Sequence, residues 1–396
     1  MLELNQKKLF YTFEQCQQCG ICSAVCPENA ISLSLRKDGL HDVRINTEHC
    51  IVCGKCVKSC PANKKYSYEG YFDSFEQKKY FLGYHVDKRI RRQSSSGGVC
   101  KTLIIESLKN GTVDGVYSLR CTDSFPFAEG EFYTRENIPS FGEMPNSVYH
   151  SVMACTEIGR IQPCKRLMLV GTACQLRALN SIIKDKCDEV VRVCIFCKQQ
   201  KTLDSTRFLA KVMGTSVPQD LKFRPCYRGD GWPGIVRVDG FELPYSKAAQ
   251  IPFGKRLWTV PGCNVCGDSF GTEAGADISL MDPWGIRPHG GLGETLITVH
   301  TPKGSELFQQ CVSLVLEPRS FSEVEPALSL KDVWRKQVTE PVFRGKLCKE
   351  HYVRAVRVEL NQQRLLRMVV EKLPRLPIIC YRILARLPDL RNRLLK

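Results

Sequence analysis

The chain has 396 residues, with 57 Lys+Arg against 41 Asp+Glu for a formal net charge of +16, and is 43% hydrophobic and 25% charged. That balance excludes wholesale disorder and fibrous repeats, and the length calls for two or three domains with a substantial core. No apolar run approaches the roughly 18 residues that cross a bilayer, and residues 1–18 lack the apolar core of a secretion signal, so a cytoplasmic protein is expected.

Cysteine is over-used: 22 residues, eight of them before residue 61. Reduced thiols at tight spacing are metal ligands more often than disulfide staples. The first run reads Cys16, Cys19, Cys22, Cys26, Pro27, and each position returns 34 residues later as Cys50, Cys53, Cys56, Cys60, Pro61. This is a duplicated C-x₂-C-x₂-C-x₃-C-P run, in which the fourth cysteine of each run ligates the cluster of the other. Two [4Fe–4S] clusters are expected, one on Cys16, Cys19, Cys22 and Cys60, the other on Cys50, Cys53, Cys56 and Cys26. Two zinc knuckles would also use C-x₂-C pairs, but not this doubled pattern. Gly20 and Gly54 allow the tight wrap, and Ala30–Leu35 with Val43–Ile45 around Asp38-Gly39 predicts a short hairpin. Residues 1–70 resemble a bacterial two-cluster ferredoxin, an α+β fold.

From about residue 80 the texture alternates between strand and helix. Ser94-Ser95-Ser96-Gly97-Gly98 precedes an amphipathic run, Val99–Leu108. Such a start can cradle a phosphate on unpaired N–H groups, although an ordinary N-cap explains the same residues. Strand Arg166–Val170, the turn Gly171-Thr172-Ala173-Cys174-Gln175, helix Leu176–Ile183 and strand Val190–Ile195 make a βαβ unit. The expected domain over 80–340 is therefore α/β, with a largely parallel or mixed sheet. Cys174 falls at a helix N-terminus on the carboxyl edge of that sheet, where a thiolate is stabilised. Cys194 and Cys197 follow the next strand, and Cys263 and Cys266 form another C-x₂-C loop. Cys174, Cys197, Cys263 and Cys266 suffice for a third cluster, with Cys194 as a reserve ligand. The other cysteines of the body read as structural thiols.

The order of these motifs, together with Asn146–Ser151, Ile195-Phe196-Cys197, Arg228-Gly229 and Asp282-Pro283-Trp284-Gly285, resembles the coenzyme F420 hydrogenase/dehydrogenase beta-subunit family over residues 1–310. That resemblance implies an iron–sulfur flavoprotein passing electrons between clusters, FAD and a small-molecule hydride acceptor. It assigns FAD to Ser95, Ser96, Gly97, Gly98, Ser147, Tyr149, Gly171 and Thr172. The family has Pro, Lys, His and Gly where this chain has Ala173, Val148, Lys198 and Met281, positions near the expected flavin and substrate. A second reading is an electron-transfer subunit without its own substrate, delivering to a partner enzyme, as some relatives accompany surface-polysaccharide synthesis. The sequence identifies no acid–base pair as catalytic residues. Expected partners are a redox protein, either a ferredoxin or an oxidoreductase subunit, and the hydride acceptor.

Residues 331–396 carry 17 Lys+Arg against 6 Asp+Glu, which is +11 of the total +16. Val353, Val356, Leu360, Leu366, Val369 and Leu373 recur at helical spacing beside arginines, and Ile378–Leu387 begins a second basic segment. A basic amphipathic tail over 341–396 is expected, suited to an acidic redox partner or an anionic membrane surface, and hence to a peripheral position at the inner membrane face. Few aromatics accompany those charges, which argues against nucleic acid.

Overall fold

Alternation around an Asp-Gly turn shapes the first ribbon: Ile31–Leu35 (β1) pairs antiparallel with His41–Ile45 (β2), Ile31 opposite Ile45. The computed structural model describes residues 16–64, 67–183, 186–213, 224–238, 240–248, 257–286 and 291–343, with 367, 368 and 372. Two short helices, Ile21–Ala24 (α1) and Lys55–Ser59 (α2), arise one from each cysteine run. The ribbon's Ile31, Leu33, Val43 and Ile45 pack with Cys22, Cys26 and Cys56. This is a ferredoxin-like N-terminal region.

Behind it stands one eight-stranded mixed sheet. Its strands are Lys79–His85 (β3), Gly115–Cys121 (β4), Ala128–Thr134 (β5), Cys164–Gly171 (β6) and Cys187–Ile195 (β7). A small antiparallel sheet comes next, from Cys226–Tyr227 (β8), Ile235–Val238 (β9) and Phe241–Pro244 (β10). Ile278–Met281 (β11), Thr295–Val299 (β12) and Leu314–Arg319 (β13) complete the large sheet. Its order is β13-β3-β12-β11-β7-β6-β4-β5. The four neighbours β11, β7, β6 and β4 run parallel, while the outer pairings are antiparallel. All four central strands therefore present their carboxyl ends along one edge, where open α/β sheets bind ligands.

Helices cover both faces. On one face, Val99–Asn110 (α4; α3 is Lys88–Gln93) buries Val99, Leu103, Ile104 and Leu108 against Val116, Met168, Val191 and Ile297. Each such fully buried aliphatic side chain contributes about 1.5–3 kcal/mol. On the other face, Leu176 and Leu179 of Ala173–Leu179 (α5) meet Leu167, Leu169 and Cys194. Cys19 and Ile21 belong to that same cluster, so the ferredoxin-like region shares the core of the body.

Helix α5 starts three residues before the expected Leu176 and stops short of Ile183. Thr172 and Gln175 form a reciprocal capping box that fixes the earlier start. Leu203–Val212 (α6), Tyr245–Ala248 (α7), Pro302–Gln309 (α8), Phe321–Leu328 (α9) and Leu330–Phe343 (α10) complete the described helices. Helix α10 runs through the expected 340/341 boundary. Both apolar stripes expected in the tail lie almost wholly outside the described residues. Arg367 is described, and it bonds to Asp204 on α6 at 3.1 Å, a contact with the body. Among the described residues no helix is long and apolar enough to cross a membrane.

Candidate functional site

Cys16, Cys19 and Cys60 lie near enough to Cys22 for their charges to act on it, and Cys26 and Cys53 do the same to Cys56. Cys16, Cys19, Cys22 and Cys60 are all buried. Burial pushes the Cys22 thiol well up, and the charges of Cys19, Cys16 and Cys60 push it further. Burial likewise pushes Cys16 up to about 11 and Cys60 to about 12, against N–H donation from Gln18 to the first and from Ala62 and Asn63 to the second. Four thiols in such proximity cannot all ionise unless a cationic core takes the place of their protons. The second set is more open: Cys56, raised by burial, senses Cys26 and Cys53. Cys53 is exposed and Cys50 half-buried. Gly20 and Gly54 both take positive φ, +84° and +72°, as N-caps of α1 and α2.

A third set forms in the body. Cys174 is the second residue of α5, Cys197 lies two residues past β7, and Cys263 and Cys266 sit in or just past the 3₁₀ turn Pro261–Val265. Burial pushes the Cys174 thiol well up, and Cys266, Cys263 and Cys197 add to that push. Burial and neighbouring sulfurs thus outweigh the stabilisation that the helix N-terminus offers a thiolate at Cys174. Cys197 is pushed up to about 12 by burial, then by Cys263 and Cys266. Cys194, fully buried, senses Cys197, Cys174 and Cys266 as well. The Gln200 amide donates to Cys263 Sγ at 3.3 Å. Among the described residues no three His, Cys, Asp or Glu side chains are grouped as ligands of a single metal ion. The sulfur sets are related by electrostatic proximity, and a cubane spreads its thiolates over four iron corners.

The first and third sets are linked through the backbone. Gly262 N–H donates to Cys16 O at 3.1 Å, and Cys155 N–H to Cys19 O at 2.8 Å. The Cys155 thiol also faces Cys19 and pushes it up.

The third set borders a cavity of about 1090 Å³ on the carboxyl edge of the parallel strands. Seven of the eight residues assigned to FAD line it: Ser95, Ser96, Gly98, Ser147, Tyr149, Gly171 and Thr172. Gly97 does not, because it is packed against the sheet. Its amide donates to Thr295 Oγ1 at 3.0 Å, and a Cβ there would lie 2.2 Å from Gly83 O. Cys197 lines the cavity too, so one sulfur belongs to both features. Ser95 Oγ and Ser147 Oγ are 2.9 Å apart, and no side chain caps the N-terminus of α4 behind Gly98. Lys101, Lys198, Lys201, Arg335 and Lys336 give the wall a basic character suited to anionic groups.

At one end, Arg228 (1% exposed) holds Asp282 through two bonds of 2.8 and 3.0 Å and donates to Ser95 O at 2.8 Å. Burial alone would lower the Arg228 guanidinium, but the Asp282 carboxylate and two tyrosines raise it. Arg228 Nε is buried without a hydrogen-bond partner among the described residues. Tyr245 and Trp284 stand over the guanidinium at 4.4 and 5.8 Å.

Residues 15–64 match the 4Fe-4S dicluster domain, and residues 164–322 match the C terminus of the coenzyme F420 hydrogenase/dehydrogenase beta subunit. Residues 164–322 belong to the F420 hydrogenase/dehydrogenase beta-subunit family. The chain is therefore an iron–sulfur electron-transfer protein that joins a dicluster domain to this beta-subunit domain. It is 23% identical to the coenzyme F420 hydrogenase subunit beta of Methanococcus voltae over 261 residues, 62% of this chain and 85% of that one. An uncharacterized protein of Methanocaldococcus jannaschii is 24% identical over 328 residues, 71% of this chain and 87% of that one. A chain of the F420-reducing [NiFe] hydrogenase complex from Methanosarcina barkeri aligns with a TM-score of 0.46 at 19% identity, covering 66% of this chain and 89% of that chain.

Sequence reasoning does not reach Cys155, which reads as a structural thiol, nor the pairing of Arg228 with Asp282 in the beta-subunit domain. The partners are separated by more than a hundred residues in one case and by 54 in the other, and no local period reports such contacts. Only the burial of Arg228, visible once the chain is folded, points to its partner, since an Arg is rarely buried unless paired.

Proposed function

We propose that this chain is an iron–sulfur flavoprotein oxidoreductase. The N-terminal cysteines would hold two cubanes and Cys174, Cys197, Cys263 and Cys266 a third; these would supply one-electron transfer from a redox partner protein, and FAD at the cavity would supply hydride chemistry toward a small-molecule acceptor such as coenzyme F420. The observation that carries this reading is the double membership of Cys197, which stands in the third sulfur set and in the wall of a dinucleotide-sized cavity. FAD, when bound, supplies the junction between one-electron and two-electron chemistry. The residues fit it: the paired hydroxyls of Ser95 and Ser147, the open start of α4 behind Gly98, and Gly171 with Thr172 offer small, polar groups on one edge. Arg228 and Asp282 hold the Ser95 backbone in position. The bond from Gly262 to Cys16 supports a short route between the first and third sulfur sets. The Methanococcus voltae relative is named a hydrogenase subunit, which supports a protein partner as electron source.

Anaerobic reconstitution with quantitation of iron and flavin tests the reading. We expect about twelve irons per chain, four per cubane, and one FAD. Replacing Cys263 and Cys266 together with Ser should remove about a third of the iron, one cubane of three, and leave the ferredoxin-like signals. Iron unchanged by that double substitution would refute the third cluster. Protein filled with iron that never takes up flavin would leave the carrier-subunit reading instead.

A further inference from the structure

Strands β6 and β7 both begin with a cysteine. They run parallel in a register that places Cys164 opposite Cys187, and Cys164 N–H donates to Lys186 O at 3.1 Å. Residues opposite one another on neighbouring strands share a face of the sheet, and here the two sulfurs meet at 3.6 Å. Two residues further on, Arg166 makes an ion pair with Glu189 at 3.2 Å, which holds the strand starts in that register. Both thiols are half-buried and border the core cluster that contains Leu167, Leu176 and Cys19. Neither belongs to the three sulfur sets.

The spacing suits a covalent bond. Neighbouring strands lie about 4.8 Å apart, inside the roughly 4.4–6.8 Å between Cα atoms that a disulfide spans. The sulfurs have to close from 3.6 Å to about 2.0 Å, a distance that side-chain rotation covers while the strands stay paired. The charge balance points the same way. Burial, then the hydrogen bond and charge of Cys187, push the Cys164 thiol up, and Asp114 and Asp188 add to that push. A lone negative charge on the pair is resisted, whereas the dithiol and the disulfide are both neutral.

We propose that Cys164 and Cys187 form a reversible disulfide by exchange with a low-molecular-weight disulfide. One cysteine, as its thiolate, attacks the small disulfide, releases one small thiol and leaves a mixed disulfide on the protein. The other cysteine then attacks the protein sulfur of that mixed disulfide, forming the Cys164–Cys187 bond and releasing the second small thiol. The protein loses two electrons and two protons, and the small disulfide gains both. The new bond closes a covalent loop, 164–187, around the turn and helix that carry Gly171, Thr172 and Cys174. It ties together, at their amino ends, the two strands whose carboxyl ends lead to Cys174 and Cys197.

The test uses the full chain, reconstituted anaerobically with iron, as wild type, Cys164→Ser and Cys187→Ser. Each is equilibrated with graded mixtures of oxidised and reduced glutathione, and free thiols are then blocked with iodoacetamide. Non-reduced digests are read by mass spectrometry while iron is counted. In the oxidising mixtures wild type should yield a peptide crosslinked between Cys164 and Cys187. That species should exceed the singly glutathionylated form by at least about tenfold, because the second thiol is already in place. It should revert as reduced glutathione is raised, with the iron count unchanged throughout. Either Ser variant should keep wild-type iron and stop at the mixed disulfide. Wild-type protein with both cysteines still alkylated in every mixture would overturn the inference. So would glutathione on both cysteines without the crosslink, or a crosslink that forms only as iron is lost.

Discussion

Gly20 and Gly54 occupy equivalent places in the duplicated cysteine run, yet the fold treats them differently. Both adopt positive φ, so alanine at either site incurs the left-handed penalty of about 1–2 kcal/mol. At Gly54 that is the whole cost, because nothing lies within 4 Å of an added methyl. At Gly20 the methyl would stand 2.7 Å from Thr156 Cγ2 and 3.0 Å from Met153 O, where the ferredoxin-like region meets the body. The threonine side chain can turn, but the carbonyl belongs to backbone, so overpacking adds about 1–3 kcal/mol. Gly20→Ala should therefore destabilise by about 2–5 kcal/mol and Gly54→Ala by about 1–2 kcal/mol. Loss of clusters on heating is irreversible, so the assay is the half-life of cluster absorbance at one fixed temperature, with iron counted at intervals. Gly20→Ala should shed the iron of the buried set first, while Gly54→Ala tracks wild type closely. Equal half-lives for the two variants would refute the reasoning, since the shared backbone strain would then outweigh docking.

Other outcomes follow from the same structure. Gly98→Asp should abolish flavin uptake without reducing the iron count, since it puts a carboxylate at the open start of α4 and a Cβ 3.0 Å from Ser94 Oγ; flavin bound at wild-type stoichiometry would count against the cavity assignment. Arg228→Met strands the Asp282 carboxylate and should cost toward the low end of about 3–5 kcal/mol, because Asp282 keeps some solvent contact; adding Asp282→Asn should recover part of it in a denaturation series. His150 is held neutral by burial among Phe125, Phe127 and Tyr227, with His41 nearby, its ring pushed down to about 4. Its folded value is depressed, so the stability it contributes is present above pH 6.5 and is lost as pH falls toward 4, about 3 kcal/mol over that window. His150→Gln should flatten the acid limb of a stability-versus-pH curve, and an unchanged slope would refute that assignment.

Much of this site is written locally. The 34-residue repeat carries the first two sulfur sets, because ligand spacing on a short loop is a sequence property. The Asp-Gly turn gives the hairpin, and the serine–glycine run before Val99 marks the start of α4. The cavity residues came from resemblance and fell on one edge because β6, β7 and β11 end there together. Gly97 did not follow its neighbours: adjacent residues on a turn face opposite ways, and sequence order does not say which one anchors the loop to β12. The contacts that join the parts, such as Gly262 with Cys16, Gln337 with Gly267 and Arg228 with Asp282, link distant segments and leave no periodic trace. The antiparallel direction of the edge strands was likewise hidden, since no residue pattern within a strand says which neighbour it pairs with.

The unequal burial of the two cysteine runs bears on how the protein would fail in air. Around the outer set, Ile51 and Val52 are 61% and 55% exposed and Cys53 reaches the surface, whereas Cys16, Cys19, Cys22 and Cys60 are sealed against the body. A cubane held by the outer set would meet dioxygen first. Damage should thus proceed in steps, with four irons released while the inner ones persist. A protein stopped at that stage would keep its sealed sulfur set and lose the one nearest the surface.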